Sequence, residues 1–289
     1  MKNNDRDIVQ QLQQNSQSPS IPLLSVGFLS TYKGRQLGTI GDFGCFSFHY
    51  TKNVICGEGG AISINRSNML ARRALVLWEK GTNRYISLSC EVPHFSLIVL
   101  NFDSTHICIF LFASRHDFMA GKIDKYEWID IGSSFVPSEV SCAILWAQIE
   151  HSAEITAARI SNFNTYHDGL IELHEKHFRI PCVPMQCVTN AHIFSLLVPN
   201  KELRAFFETE MKRRGVSAFS HYVPLHSSPA GLKFGRVAGD MTVTNEVFAG
   251  LLRLPLWVGL RIDELQFVIN AVKDVAELAQ TLATKNSGV

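Results

Sequence analysis

The chain has no CxxC pair, no P-loop and no GxGxxG run, and its charges nearly cancel. Its seven cysteines are scattered and odd in number. That argues against a disulfide framework or a structural zinc site and fits a reducing compartment, so a cytoplasmic protein is expected. Lys plus Arg number 27 against 26 Asp plus Glu, a net charge of +1. No global field therefore draws the chain to nucleic acid or to an anionic membrane. The first twenty residues, MKNNDRDIVQQLQQNSQSPS, lack an apolar h-region and are rich in Gln, Asn and Ser. They read as a disordered lead-in rather than a secretory signal. One apolar stretch, Phe95 to Phe112, has membrane-like composition. Asp103 and His106 sit in its middle, each costly in hydrocarbon, so it is not read as a span. No internal repeat is present.

What is there is a 289-residue chain, 46% hydrophobic and 18% charged. Such a chain buries a sizeable core as one large domain or two smaller ones. Phe43–Phe48 reads as a short buried strand. Gly57, Gly59 and Gly60 mark a tight turn, and Ala61–Ile64 starts another strand. Leu70, Ala74, Leu77 and Trp78 stand near helical spacing, which predicts a helix over Asn68–Lys80 closed by Gly81. Ser138 is expected to cap a long helix reaching Asp168, with Val140, Ala143, Ile144 and Ala147 on its apolar face. Beyond Pro181 and Pro184 the pattern predicts a strand (Ala191–Val198), a helix (Lys201–Arg214, ended by Gly215) and a strand (Val216–Ser220). A final helix over Asp263–Ala283 carries Leu265, Val268, Ile269, Val272 and Val275. Alternating strands and helices indicate an α/β architecture.

Few residues suggest chemistry. Lys52 follows an apolar strand and precedes the glycine turn. Burial disfavours the charged form of an amine, and a neutral amine attacks carbonyls. Ser47, five residues earlier, could give a phosphate donor. Spacing alone also suits a surface lysine beside a β-turn. The glycines of Gly57-Glu58-Gly59-Gly60 could simply provide positive φ. His221, Tyr222 and His226 form a polar loop cluster that either binds a polar substrate or solvates the surface. Pro224 disfavours a helical metal pair there. His174 and His177 read as solvated, and Lys212, Arg213 and Arg214 as a basic helix end suited to the helix dipole. No residue is read as a metal ligand.

The run STYKGRQLGTIGDFGCFSFHYTKNVICGEGGA (Ser30–Ala61) resembles the pyridoxal-phosphate site of the DegT/DnrJ/EryC1/StrS nucleotide-sugar aminotransferases. The later stretches WEKGTNR (Trp78–Arg84), DKYEWIDIGSSF with LWAQIE (Asp124–Glu150) and HYVPLHSSPAG (His221–Gly231) strengthen the resemblance. It implies an aspartate-aminotransferase-like fold (fold type I), with a large domain and a small C-terminal α/β domain. It implies pyridoxal 5'-phosphate as cofactor and Lys52 as the lysine that carries it. Ser47 would bind the cofactor phosphate. Ser134 would complete the phosphate site of a neighbouring subunit in a homodimer, and His221 and Tyr222 would lie near the sugar nucleotide. The implied reaction moves an amino group from glutamate to dTDP-4-keto-6-deoxyglucose by a ping-pong route, giving dTDP-4-amino-4,6-dideoxygalactose. Another nucleotide sugar, or an inactive chain that acts only as a partner subunit, stays open.

Two departures from the family pattern matter. The front of the large domain is expected to be missing, leaving residues 1–27 as lead-in, 28–165 as the back part of the cofactor domain and 166–289 as the small domain. The family's aspartate that pairs with the pyridine nitrogen would fall at Leu23. Leucine cannot keep that nitrogen protonated, so a weakened electron sink is implied. Tyr85–Arg115 has no counterpart in the family. Its composition is that of translated T-rich non-coding sequence, so a retained intron or a faulty gene model is expected, with a loop insertion as the rival.

Overall fold

The computed structural model describes residues 27–65, 68–82, 97–102, 105–110, 127–220 and 222–286. Its contacts divide the chain into two units. One comprises Met1–Glu154 with Met185–Asn190, the other Ile155–Pro184 with Ala191–Val289. The division falls within the first turn of a helix, upstream of the boundary at 165/166 expected from sequence.

In the first unit, β1 (Thr31–Tyr32) lies between β2 (Arg35–Gln36) and β7 (Cys187–Val188), antiparallel to both. Next comes a hairpin of β3 (Phe43–Ser47) and β4 (Gly60–Ile64), in register from Phe43↔Ile64 to Ser47↔Gly60. Burial alternates along β3, as a two-residue period requires, so Phe46 turns inward and Ser47 lies on the less buried face. Phe28 meets Phe46 and Phe48 edge-on, with ring centroids 5.9 and 5.5 Å apart. These rings, Val54, Cys56, Cys142 and Leu145 form the core of this unit. Each buried ring contributes about 2–3 kcal/mol by leaving water.

Helix α1 (Asn68–Trp78) forms where the apolar spacing predicts it. It ends as Gly81, at φ +78°, donates its amide to the Val76 carbonyl. The membrane-like stretch holds two six-residue strands, β5 (Leu97–Phe102) and β6 (Thr105–Phe110), paired antiparallel. Among the described residues no helix is long and apolar enough to cross a membrane.

Ser138 caps α2 (Glu139–Glu150), its hydroxyl accepting the Ser141 amide at 3.1 Å. The long helix expected here is in fact two, because the turn at His151 leaves helical geometry before α3 (Ser152–Leu170) begins. The apolar face expected on α2 also needs correcting. Val140, Ala143, Ile144 and Ala147 are exposed, and Cys142 and Leu145 are buried instead. Both sets are apolar at helical spacing, so periodicity could not choose between them; the position of the β3–β4 core does.

In the second unit, β10 (Leu251–Leu254) lies between β8 (Phe194–Leu197) and β9 (Phe219–Ser220), antiparallel to each. Both outer strands are shorter than their apolar runs predict. Helix α4 (Lys201–Arg213) starts at Asn200, whose side chain accepts the Leu203 amide at 2.8 Å. It stops before Gly215, at φ +76°. Short helices α5 (Pro229–Phe234) and α6 (Thr242–Gly250) follow, and α7 (Ile262–Asn286) closes the unit. Leu265, Val268, Ile269, Val272 and Val275 of α7 are all buried, as their spacing predicts. They pack with Phe163, Tyr166 and Leu170 of α3, Phe194 and Leu196 of β8, and Phe207 and Met211 of α4.

Candidate active site

Lys52 sits in the long connection between β3 and β4. The hairpin pairing continues past the strands: the Phe48 amide bonds the Gly59 carbonyl, Tyr50 bonds Gly57, and Cys56 bonds Phe48. Phe48, Val54 and Cys56 bury their side chains in the core on both sides of Lys52. The loop is thereby pinned twice, and Lys52 rides half-buried between the pins. Its amide bonds the His49 carbonyl at 2.9 Å. Among the described residues its ammonium nitrogen has no hydrogen-bond or ionic partner. Gly57, at φ +86°, makes the return turn, as the glycine run suggests.

Ser47 is the last residue of β3 and shares this hairpin with Lys52. Its Oγ accepts the His49 amide at 3.4 Å, which leaves the hydroxyl proton free to donate. His49 is tied down from both ring nitrogens: Nδ1 to the Thr51 hydroxyl at 2.8 Å and Nε2 toward Glu58 Oε1 at 3.4 Å. Its ring lies 4.1 Å from that of Tyr50.

Ser134 belongs to a different part of the same unit. Residues 128–135 run as a strap along the end of α1. Thr82 bridges Trp128 and Glu79 bridges Ser134. The amides of Ser133 and Phe135 bond the carbonyls of Leu77 and Trp78, and the Lys80 amide bonds Ser133. Arg73 Nε pairs with Asp130 at 3.0 Å. Gly81 and Gly132 allow the close approach, since a Cβ on Gly81 would run into the Asp130 carbonyl. The WEKG and DIGSS motifs, distant in sequence, thus form one rigid piece with Ser134 exposed on it. Among the described residues no hydrogen bond or ion pair joins Ser134 to Ser47 or Lys52.

Tyr222 belongs to the second unit and is highly exposed, and His221 lies outside the described residues. His226 Nε2 faces Asn245 Oδ1 at 3.0 Å. His174 and His177 are exposed, as expected of solvated histidines. Arg213 and Arg214 both bond the Glu210 carboxylate at 2.8 Å, which holds its pKa below the ordinary value, with the Arg214 hydrogen bond the main cause. Among the described residues no group of three or more His, Cys, Asp or Glu could hold a metal ion.

Sequence reasoning missed Asn53 and Asn190. Asn53 Nδ2 donates to the Asn190 carbonyl at 2.7 Å across 137 residues of sequence. No local pattern signals such a bond. It also missed Cys56 and Cys142, which share the core of this unit. Burial pushes both thiols above their ordinary pKa.

Comparison with known proteins gives the class of this chain. The fold superposes on the aminotransferase TlmJ from Streptoalloteichus hindustanus with a TM-score of 0.73 at 20% identity, over 96% of this chain and 63% of that one. This is fold type I, the architecture of the pyridoxal-phosphate-dependent sugar aminotransferases. Residues 7–273 match the DegT/DnrJ/EryC1/StrS aminotransferase family, and the chain belongs to it. The matched span starts inside the segment read from sequence as a lead-in. The chain is 27% identical over 252 residues to the uncharacterized protein MJ1066 of Methanocaldococcus jannaschii, covering 84% of this chain and 56% of the relative. It is 23% identical over 250 residues to dTDP-3-amino-3,4,6-trideoxy-alpha-D-glucose transaminase of Streptomyces venezuelae, covering 85% and 53%. The chain spans about half the length of the curated relatives it matches.

Proposed function

We propose that this chain carries the lysine half of a pyridoxal-phosphate site and takes part in amino transfer from glutamate to a keto sugar nucleotide. The observation that carries the reading is the amine of Lys52, without a partner among the described residues, on a loop pinned by buried residues, with Ser47 at the end of the same strand. The residues present fit the cofactor in part. Lys52 would hold it covalently and the Ser47 hydroxyl would donate to its phosphate. The acid expected opposite the ring nitrogen has no counterpart at Leu23, which predicts slow turnover. When bound, the cofactor withdraws electrons from the carbon that carries the amino group. The role of Lys52 is to take the proton from that carbon at Nζ and return it. The pinned loop fixes the backbone from which Lys52 reaches for both transfers.

The finer reading is dTDP-4-keto-6-deoxy-D-glucose as acceptor in the cytoplasm, with His221 and Tyr222 near the nucleotide sugar. It rests on the motif resemblance. The reading extends to a homodimer with a cofactor domain over 28–165 and a small domain over 166–289. Ser134 supports the dimer, since an exposed hydroxyl on a rigid strap suits a neighbouring subunit's phosphate site. That observation also favours a second reading, a non-catalytic subunit that completes a full-length partner.

The test is incubation of the chain with pyridoxal phosphate, glutamate and the 4-keto sugar nucleotide. A Lys52→Ala control accompanies it. Amino sugar formed by the chain and at least 1,000-fold less by the variant, as expected for losing a catalytic lysine, supports the reading (an order-of-magnitude expectation). No product from either, together with a change in the activity of an added full-length relative, supports the partner-subunit reading.

A further inference from the structure

We propose that Asn190, acting through Asn53, is a positioning residue for Lys52; this rests on the reading of Lys52 as the cofactor lysine. Asn53 follows Lys52 directly. Its side-chain Nδ2 donates to the Asn190 carbonyl at 2.7 Å. Asn190 is itself held at two further points. Its backbone amide donates to Ser30 Oγ at 3.1 Å, and its side-chain Nδ2 donates to the Phe28 carbonyl at 2.8 Å. Asn190 and Ser30 are both buried, so these bonds do not compete freely with water.

Phe28 is part of the core that pins Phe48 and Val54 on either side of Lys52. The network therefore ties the residue after the lysine to the same body that anchors the loop's flanks. Two apolar pins fix where the loop lies. An apolar contact has no direction, so the pins by themselves do not orient the Asn53 side chain. The Asn53 hydrogen bond supplies the direction. Asparagine suits the place because its amide is a neutral donor. An aspartate of the same shape would set a carboxylate against a carbonyl and beside Lys52.

The experiment uses the full chain with Asn53→Asp, Asn53→Leu, Asn190→Ala and Lys52→Ala variants. Two readouts are taken at Lys52 by peptide mass spectrometry. One is the half-saturating concentration of pyridoxal phosphate for borohydride-fixed adduct. The other is the rate of labelling by acetic anhydride between pH 6 and 10, which needs no cofactor. Circular dichroism checks the fold. The expected result is at least a ten-fold rise in half-saturation in Asn53→Asp, Asn53→Leu and Asn190→Ala. A displaced pH–rate profile at Lys52 should accompany it, with labelling at other lysines unchanged. Half-saturation and profile equal to the parent chain's would overturn the proposal. If Asn190→Ala fails to fold, Asn53→Leu, a neutral change of the same half-buried side chain, decides alone, because the carboxylate of Asn53→Asp also displaces the Lys52 profile by its charge. If the parent chain forms no adduct at Lys52, the cofactor reading fails. The anhydride profile then still decides whether Asn53 and Asn190 position the amine, and an unaltered profile removes that role too.

Discussion

At the residue scale, the strap and the hairpin depend on a few positions with no substitute. Gly81 sits at φ +78° with the Asp130 carbonyl where a Cβ would go. Gly81→Ala adds left-handed strain to a backbone clash. It should cost at least ~2 kcal/mol, read as a lowered urea midpoint. The sequence revealed Gly81 as a helix stop but not its second use, because the Asp130 carbonyl arrives from 49 residues downstream by folding alone. Ser47 and Lys52 could be proposed together from sequence because six consecutive residues of one strand and turn carry both. Asn190 could not, because its partner Asn53 is distant in the chain.

At the element scale, α2 shows how two apolar stripes compete. Leu145 lies in the core beside Cys142, and Val140 is exposed. Leu145→Ala is expected to cost about 2–4 kcal/mol of unfolding free energy. Val140→Ser should leave the isolated chain within ~0.5 kcal/mol of the parent. The opposite ranking by urea titration would restore the face that spacing alone suggested. Helix α7 offers no such choice. Its polar positions mark out a single stripe, and all five expected residues are buried. Ile269→Ala there should cost about 3 kcal/mol.

At the scale of the whole molecule, stability should fall in alkali, for a reason visible in both cores. Burial pushes the Tyr166 hydroxyl well above its ordinary pKa, and it donates to the Pro255 carbonyl at 2.8 Å. Burial raises the thiols of Cys56 and Cys142 in the same direction. Each group keeps its proton in the folded state after the unfolded chain has released it. The unfolded state then binds fewer protons, so stability is complete below about pH 9 and declines above it. Arg159 works in the opposite sense. It is buried and donates to the carbonyls of Ala191 and His192, and desolvation brings its pKa down to about 10. A Tyr166→Phe comparison isolates the tyrosine. The variant should lose about 1 kcal/mol at pH 8 with its hydrogen bond. Between pH 10 and 11.5 its stability should decline less steeply than the parent's, by up to about 1.4 kcal/mol per pH unit, in urea titrations.

The amino-acid sequence by itself determined the strands β3 and β4, the helices α1, α4 and α7, the caps at Ser138 and Gly215, the buried stripe of α7 and the family to which the chain belongs. These depend on neighbours within a few residues, or on motifs that stand in order along the chain. Tertiary structure alone decided which stripe of α2 is buried and where its long helix breaks. It also decided that the WEKG and DIGSS motifs form one piece, and that Asn53 is held by Asn190. Each of these is a contact between segments far apart in the chain. Spacing limits which residues can share a face, but only the packed neighbour selects among faces that local pattern leaves equal.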